Sequence, residues 1–485
     1  MAEGDYDACV VGSGPNGLAG AVTLARAGLR VLVLEGSQQP GGGCRTEPLT
    51  LPGFWHDTCS TAHPLALASP FFRDFDPEAH GVRLLQPRVV YAQALDDGRA
   101  AVVRRSLEET ASGLGRDGPA YQRLFGPLSR RGRELADWLL SAQRRPPSPR
   151  LALTGYFLDA LRPASGLVGR FRSEEARALF AGVAAHAMRP LERPPSGAVG
   201  LFLGTLAHTV GWPVVAGGSQ RLSDALVAEL ERLGGRVEAG RWVRSLAELP
   251  RTRATLLDVT PRQLLELAGP RLPSGYRRTL ERFRYGSGVF KADYALAGPV
   301  PWRNEALRQA GTVHLGGSFA EVAASERAVA RGEHPQRPYV LTVQASVVDP
   351  ERAPAGQHTL WAYCHVPPGS DQDMAPFLEA QLERFAPGFG DLVRGRSLRT
   401  ARQQEQHDPN YVGGDIASGL QDLRQTLLRP GLRWNPYRTP LPGLYLCSAS
   451  TTPGPGVHGR CGELAARSAL REVFRLRPGA GREAA

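Results

Sequence analysis

The stretch "VVGSGPNG", Val10 to Gly17, decides the fold. Its GxGxxG spacing is weak evidence by itself, because 56 of the 485 residues are glycine and such spacings arise by chance. The neighbouring residues give it meaning. Asp7 to Val11 reads as a short buried strand, Leu18 to Ala27 as an alanine- and leucine-rich helix stopped at Gly28, and Arg30 to Leu34, "RVLVL", as a second buried strand. The glycines therefore fall at the strand-to-helix junction of a β-α-β unit, the context in which this spacing predicts a dinucleotide. Gly12 permits the tight turn, Gly14 lets the backbone approach a pyrophosphate, and Gly17 allows the helix to pack closely on the strand. Pro15 and Asn16 sit in the first helical turn, where amide donors and the positive dipole end favour an anion. Glu35 ends the second strand, about 20 residues on, where an acid accepts from ribose hydroxyls.

A chain of 485 residues exceeds what one core usually supports, so two domains are expected. The opening residues carry acids and no base, and no run of about 18 apolar residues follows, which predicts neither a signal peptide nor a membrane span. Six scattered cysteines, without CxxC spacing, point to a reducing cytoplasm and to no metal site. The net charge of +11 is carried almost wholly by arginine, since Lys291 is the single lysine. Arginines crowd Arg104 to Arg177, with doublets at Arg104-Arg105, Arg130-Arg131 and Arg144-Arg145. A solvated surface is the plain reading; weak peripheral contact with an anionic membrane is the sharper one. No aromatic-interleaved basic motif accompanies the charge, so nucleic acid is not expected as a partner.

Further along, Ser173 to Ala187 reads as a helix with Ser173 as N-cap, and Leu222 to Leu233 as an amphipathic helix followed by the strand-like "RVEAG". Strand-like segments at Gly288 to Leu296, Tyr339 to Ser346 and Thr359 to Val366 suggest a second, antiparallel sheet. The end returns to α/β character, with "GLYLCSAS" (Gly443 to Ser450), a glycine-rich turn, and a helix over Glu463 to Phe474.

Three more motifs narrow the reading: "PGGGCRT" (Pro40 to Thr46), "GFWHDTCSTAHPL" (Gly53 to Leu65), and "GLYLCSASTTPGPGVHGRCGELAARSAL" (Gly443 to Leu470). With these the chain resembles the phytoene desaturase-related FAD-dependent oxidoreductases of the flavin amine oxidase-like class. "AHTVGWPVVAGGSQRL" (Ala207 to Leu222) and "NYVGGDI" (Asn410 to Ile416) make it most similar to the pyridine nucleotide-disulfide oxidoreductase domain-containing protein 2 branch. The resemblance implies an α/β fold with a Rossmann-type FAD-binding domain over residues 1–70, 211–270 and 405–476. It implies a discontinuous α+β substrate domain over 71–210 and 271–404, and residues 477–485 are expected to form a disordered tail. It also implies extended FAD, with Gly12, Gly14 and Gly17 at the pyrophosphate and Glu35 at the ribose. Gly41 and Gly42 match the second glycine pair, Gly43 stands where the family has an arginine, and Arg45 is offered to the phosphates instead. Val243 falls near the adenine contact, with the hairpin after it shortened. Ser448, Gly456, Val457 and His458 would face the flavin, at a helix N-terminus that stabilises charge on the reduced ring.

For catalysis, Lys291 lies on a strand where amine oxidase-like relatives hold a water at the flavin, and a desolvated ammonium can lose its proton as a guanidinium cannot. A strand-edge lysine facing water is the plain alternative. His458 could move a proton near neutral pH, or bind a loop carbonyl. His56, Asp57 and His63 cluster near the flavin or shape their turn; His63 and Tyr411 are candidates for the substrate wall. The expected reaction removes a hydride equivalent from a small, apolar organic substrate to FAD, leaving a double bond, with reoxidation by oxygen or another acceptor. A flavin amine oxidase is the first alternative, disfavoured by Gly456-Val457-His458-Gly459 where those enzymes carry a tyrosine. A non-catalytic FAD-bound scaffold is the second.

Overall fold

The computed structural model describes residues 6–142 and 146–476. The Arg144-Arg145 doublet and the expected tail over 477–485 lie outside the described residues. Strand β1 (Ala8–Val11), helix α1 (Pro15–Ala25) and strand β2 (Val31–Leu34) form the expected unit, with β1 and β2 parallel and in register from Ala8 opposite Val31. The parallel sheet has five strands in the order 444–446, 254–257, 8–11, 31–34, 236–238. Its strands are short and wholly apolar at the centre because helices cover both faces. α1 packs on one side against the helix Arg460–Ala469. The approach is close enough that a methyl group on Gly462 would overlap the Asn16 carbonyl.

Chain order reverses between β1 and the strand Ala254–Leu257, and ligands of such sheets bind beyond the strand ends at this point. Between residues 239 and 253 the chain makes one short turn of 3-10 helix, Leu246–Glu248, and no strand, so the shortening expected after Val243 goes as far as leaving no hairpin among the described residues.

The second sheet has seven strands, ordered 393–399, 288–296, 358–366, 340–343, 310–315, 89–94, 100–103. The strand Gly288–Leu296 has the expected bounds. This sheet is mixed rather than antiparallel, because Ala310–Leu315 runs parallel to Val89–Ala94. Parallel neighbours need a crossover, and here the long helical insertion after the edge strand Ala100–Val103 supplies the chain length. The segment expected as a strand to Ser346 stops at Val343 and turns into a short helix, Ala345–Val348. Helices Glu174–Ala184 and Ser196–Thr209 cover the apolar face of the sheet, with Ser173 accepting from the Ala176 amide as N-cap. All strands of the five-stranded sheet fall within 1–70, 211–270 and 405–476, and all of the seven-stranded sheet within 71–210 and 271–404. Among the described residues no helix is long and apolar enough to cross a membrane.

Candidate functional site

A cavity of about 1000 Å³ runs from the carboxyl ends of the parallel strands into the second domain. It starts at Gly36, Ser37, Trp242 and Val243, passes Gly12 to Asn16, Gly42, Gly43 and Arg45, and reaches Cys59 to Leu65, Ser448, Gly456 and Val457. Beyond these it opens into an arm lined by Phe202, Leu203, Trp212, Leu341, Trp361 and Tyr363.

The glycine turn is held as its residue types require. Gly12 has φ +95°, a conformation side chains resist. A methyl group at Gly14 would lie 2.8 Å from the Asp258 carboxylate, and one at Gly42 would lie 3.0 Å from the Gly14 Cα, so the two glycine turns pack directly against each other in the cavity wall. Gly17 does not line the cavity; a side chain there would strike the Gly12 carbonyl, which is the packing role expected of it. Gly41 also lies behind the wall, its amide donating to Ser13 Oγ at 3.2 Å. Glu35 braces the turn from below, accepting from the Ser13 amide (2.8 Å), Ser13 Oγ (2.6 Å) and the Ser37 amide (2.7 Å).

Arg45 is 7% exposed and lines the cavity. Its Nε donates to the Gly42 carbonyl at 3.0 Å and a terminal nitrogen to Ser37 Oγ at 2.7 Å, while the other faces His407 Nε2 at 2.9 Å. Burial and the neighbouring cations push His407 down to about 3, leaving a neutral ring able to accept from Arg45. The guanidinium is thus fixed beside the cradle, two residues after the position that Gly43 occupies. Gly43 itself makes room for the Tyr411 hydroxyl, and Tyr411 bonds Cys59 and lines the cavity.

Asp258 belongs to none of the sequence motifs. It ends the strand Ala254–Leu257 at the reversal of strand order and accepts from the Gly17 amide at 2.8 Å. Burial lifts its carboxyl to about 7, against the Gly17 hydrogen bond and with repulsion from Asp408 and Glu35. Its place at the end of a central parallel strand is the signal that could have found it. Trp242 likewise escapes motif reading: its ring covers Gly36, leaving no space for a side chain there, and lines the end of the cavity near Val243.

Two candidates stand apart from the cavity wall. Lys291 is 2% exposed, so it does not face water, and its ammonium is ion-paired with Asp293 and sits 5.5 Å from the Trp361 ring centre. Burial lowers its affinity for the proton and Asp293 opposes this. Trp361 lines the cavity and Lys291 lies behind it. Lys291 thus lies behind the cavity wall, its charge taken up by the carboxylate two residues along the strand. His458 also lies off the cavity wall. It is fully buried, its Nε2 meets the Gly454 carbonyl at 3.0 Å, and its Nδ1 accepts from the Arg460 amide at 3.0 Å. Burial pushes it down to about 4, and both ring nitrogens are taken up by backbone groups of the glycine loop.

His63 lines the cavity with Nε2 at 2.9 Å from Ser219 Oγ, and its Nδ1 has no partner among the described residues. Asn16 Oδ1 and Thr61 Oγ1, on the same wall, are also buried and unpartnered. Buried polar atoms are nearly always satisfied, so these three fit a polar ligand lying along the cradle. His56 and Asp57 instead tie the domains together: Asp57 pairs with buried Arg352 at 3.1 Å, and His56 lies 3.7 Å from Asp293. Ser448 donates to the Val259 carbonyl at 2.7 Å. No group of acids, histidines and cysteines among the described residues could hold a metal ion.

Comparison with known proteins agrees with this geometry. Residues 10–75 match the NAD(P)-binding Rossmann-like domain. The chain is 27% identical to mouse (Mus musculus) pyridine nucleotide-disulfide oxidoreductase domain-containing protein 2, over 97% of its length and 94% of that protein. It is 29% identical to a limonene dehydrogenase chain of Castellaniella defragrans over 32% of this chain and 28% of that one. In fold it is similar to cyclohexylamine oxidase from Brevibacterium oxydans, with a TM-score of 0.56 at 14% identity, covering 97% of this chain and 100% of that one. The chain carries a Rossmann-like dinucleotide-binding domain and the two-domain fold seen in cyclohexylamine oxidase, and it is similar along nearly its whole length to pyridine nucleotide-disulfide oxidoreductase domain-containing protein 2.

Proposed function

We propose that the protein binds FAD along the glycine cradle and removes a hydride equivalent from an apolar organic substrate held in the adjoining arm, leaving a double bond. FAD supplies the two-electron acceptor when bound. The chain supplies the rest: Glu35 and Val243 receive the adenosine end, the facing turns at Gly14 and Gly42 with Arg45 receive the diphosphate, and Asn16, Thr61 and His63 offer unpartnered atoms along the wall.

The observation that carries the substrate class is the charge distribution of the cavity. Its acids (Glu35, Asp258, Glu266, Asp408) and arginines (Arg45, Arg241, Arg244) all come from the nucleotide-binding half. The described lining residues between 71 and 210 and between 271 and 404 include no acid, lysine or arginine. Burying an ammonium there without a carboxylate would cost on the order of 3 kcal/mol or more, which weighs against an amine substrate. The limonene dehydrogenase relative bears a terpene in its name, in keeping with an apolar substrate.

Denaturing the purified protein and separating the released cofactor tests the reading. FAD in near-stoichiometric amount is the expected result. Failure both to release FAD and to take it up would reject the proposal.

A further inference from the structure

The arm carries in its wall a histidine, backed by a second, buried one, that the reaction as stated does not use. His186 lies in the single 3-10 turn Ala185–Ala187 that follows the helix Glu174–Ala184, and it lines the cavity. Its Nε2 is 3.0 Å from Nε2 of His314, which is fully buried on the strand Ala310–Leu315. Trp212 packs 5.4 Å from the His186 ring, and Tyr91 and Tyr339 pack 5.5 and 5.9 Å from that of His314. Among the described residues no carboxylate is bonded to either ring. An ion-paired histidine, His365 with Glu326 at 2.7 Å, lies one ring further back, behind Tyr339. Burial pushes His186 down to about 3 and His314 well below its ordinary value, so the pair is neutral at physiological pH.

A neutral pair joined through both Nε2 atoms has one bridging proton, and its position sets the state of the remaining nitrogens. When His186 donates the bridge, its own Nδ1 is a bare acceptor. When His314 donates, His186 Nδ1 carries a proton. Neither arrangement changes the net charge, and His314 Nδ1 has no partner among the described residues that would lock one of them. The cavity thus offers one neutral nitrogen that can either give or take a hydrogen bond, in a wall otherwise built mainly from aliphatic and aromatic side chains.

We infer that His186, set by His314, binds a neutral oxygen group, a hydroxyl or a carbonyl, on an otherwise apolar substrate. A hydroxyl meets His186 Nδ1 in either state and a carbonyl meets the protonated one. An ammonium or a carboxylate would find a hydrogen bond but no counter-charge. The inference rests on the reading that this arm receives the substrate.

Trp212 and Trp361 line the cavity, so tryptophan fluorescence of the purified holoprotein reports occupancy of the arm without turnover. Titrations with 1-decanol, 1-chlorodecane, decylammonium and decanoate compare one chain length with four end groups. The expected order places 1-decanol first, about 5- to 10-fold above 1-chlorodecane after correction for partition from water, the yield of one hydrogen bond. His186→Leu should remove that preference, whereas His186→Gln, which keeps a donor and an acceptor, should retain most of it. Should His186→Leu fail to fold, the wild-type comparison of alcohol with chloride reads the same bond. Equal binding of alcohol and chloride, a preference unchanged in His186→Leu, tighter binding of either ion, or no binding of 1-decanol would overturn the inference. Each of these is read separately from FAD content, so a protein that holds FAD yet shows no alcohol preference rejects the histidine site alone, and one without FAD rejects the function proposed above.

Discussion

Asp258 makes the sharpest quantitative prediction. Its carboxyl is raised from an ordinary 3.8 to about 7, chiefly by burial at the end of a central strand. A raised acid favours the folded state below the unfolded value, where both states are protonated, and that advantage is lost as pH climbs toward the folded value. In this window the folded protein holds a proton that the unfolded chain has released, so stability must fall from about pH 4 to about pH 7. Asp258→Asn keeps an acceptor for the Gly17 amide and removes the titration. Between pH 5 and pH 7 about two units remain, and at about 1.4 kcal/mol per unit the variant should gain about 3 kcal/mol on the wild type. Urea unfolding at pH 5 and pH 8, with equal slopes in both proteins, measures this directly. A stability difference between variant and wild type that is the same at the two pH values would refute the reasoning.

Other outcomes follow from the same geometry. Gly14→Val should abolish FAD binding while the protein stays folded, since the added side chain strikes the Asp258 carboxylate and displaces the turn from its place against Gly42; cofactor content and circular dichroism check it. Lys291→Met leaves Asp293 buried and unpaired beside His56 and should cost about 3–5 kcal/mol, whereas Lys291→Met with Asp293→Leu should recover most of that. Photoreduced flavin in the double variant then reads the oxygen rate, and an unchanged rate removes Lys291 from the oxidative step. Membrane contact is proposed from the exposed Leu153, Leu158 and Leu161 within the arginine-rich stretch; flotation with anionic liposomes should be seen at low salt and fade at high salt, and no flotation at low salt would reject it.

The nucleotide cradle was legible because its causes are local. Gly12, Gly14 and Gly17 act within one turn, and Glu35 reaches back across the adjacent strand. The strand Gly288–Leu296 was equally plain, being mostly apolar and bounded by glycine and proline. Lys291 illustrates a missed local signal: side chains two apart on a strand share a face, and Asp293 stood there as its partner. Asp258 left only a faint signal, its place after a strand, and Trp242 and the His186–His314 pair left none, because their meaning depends on residues brought together from distant parts of the chain. Asp258 meets Gly17 across 241 positions, and His186 meets His314 across 128. His458 shows the opposite limit, since its chemistry invited a catalytic reading and only its full burial between two backbone groups assigns it to the loop.

The five-stranded sheet is threaded from both extremes of the described chain, and this governs how the molecule is made. Helix α1 lies against Gly462 so closely that nothing larger fits. During translation the glycine turn therefore emerges more than four hundred residues before the helix that covers it and before the strand Leu444–Leu446 that closes its sheet. Such distant pairing is slow and leaves apolar surface open. The cofactor cradle should accordingly be among the last parts to become native, and a ribosome stalled before residue 444 should carry a chain that cannot retain FAD.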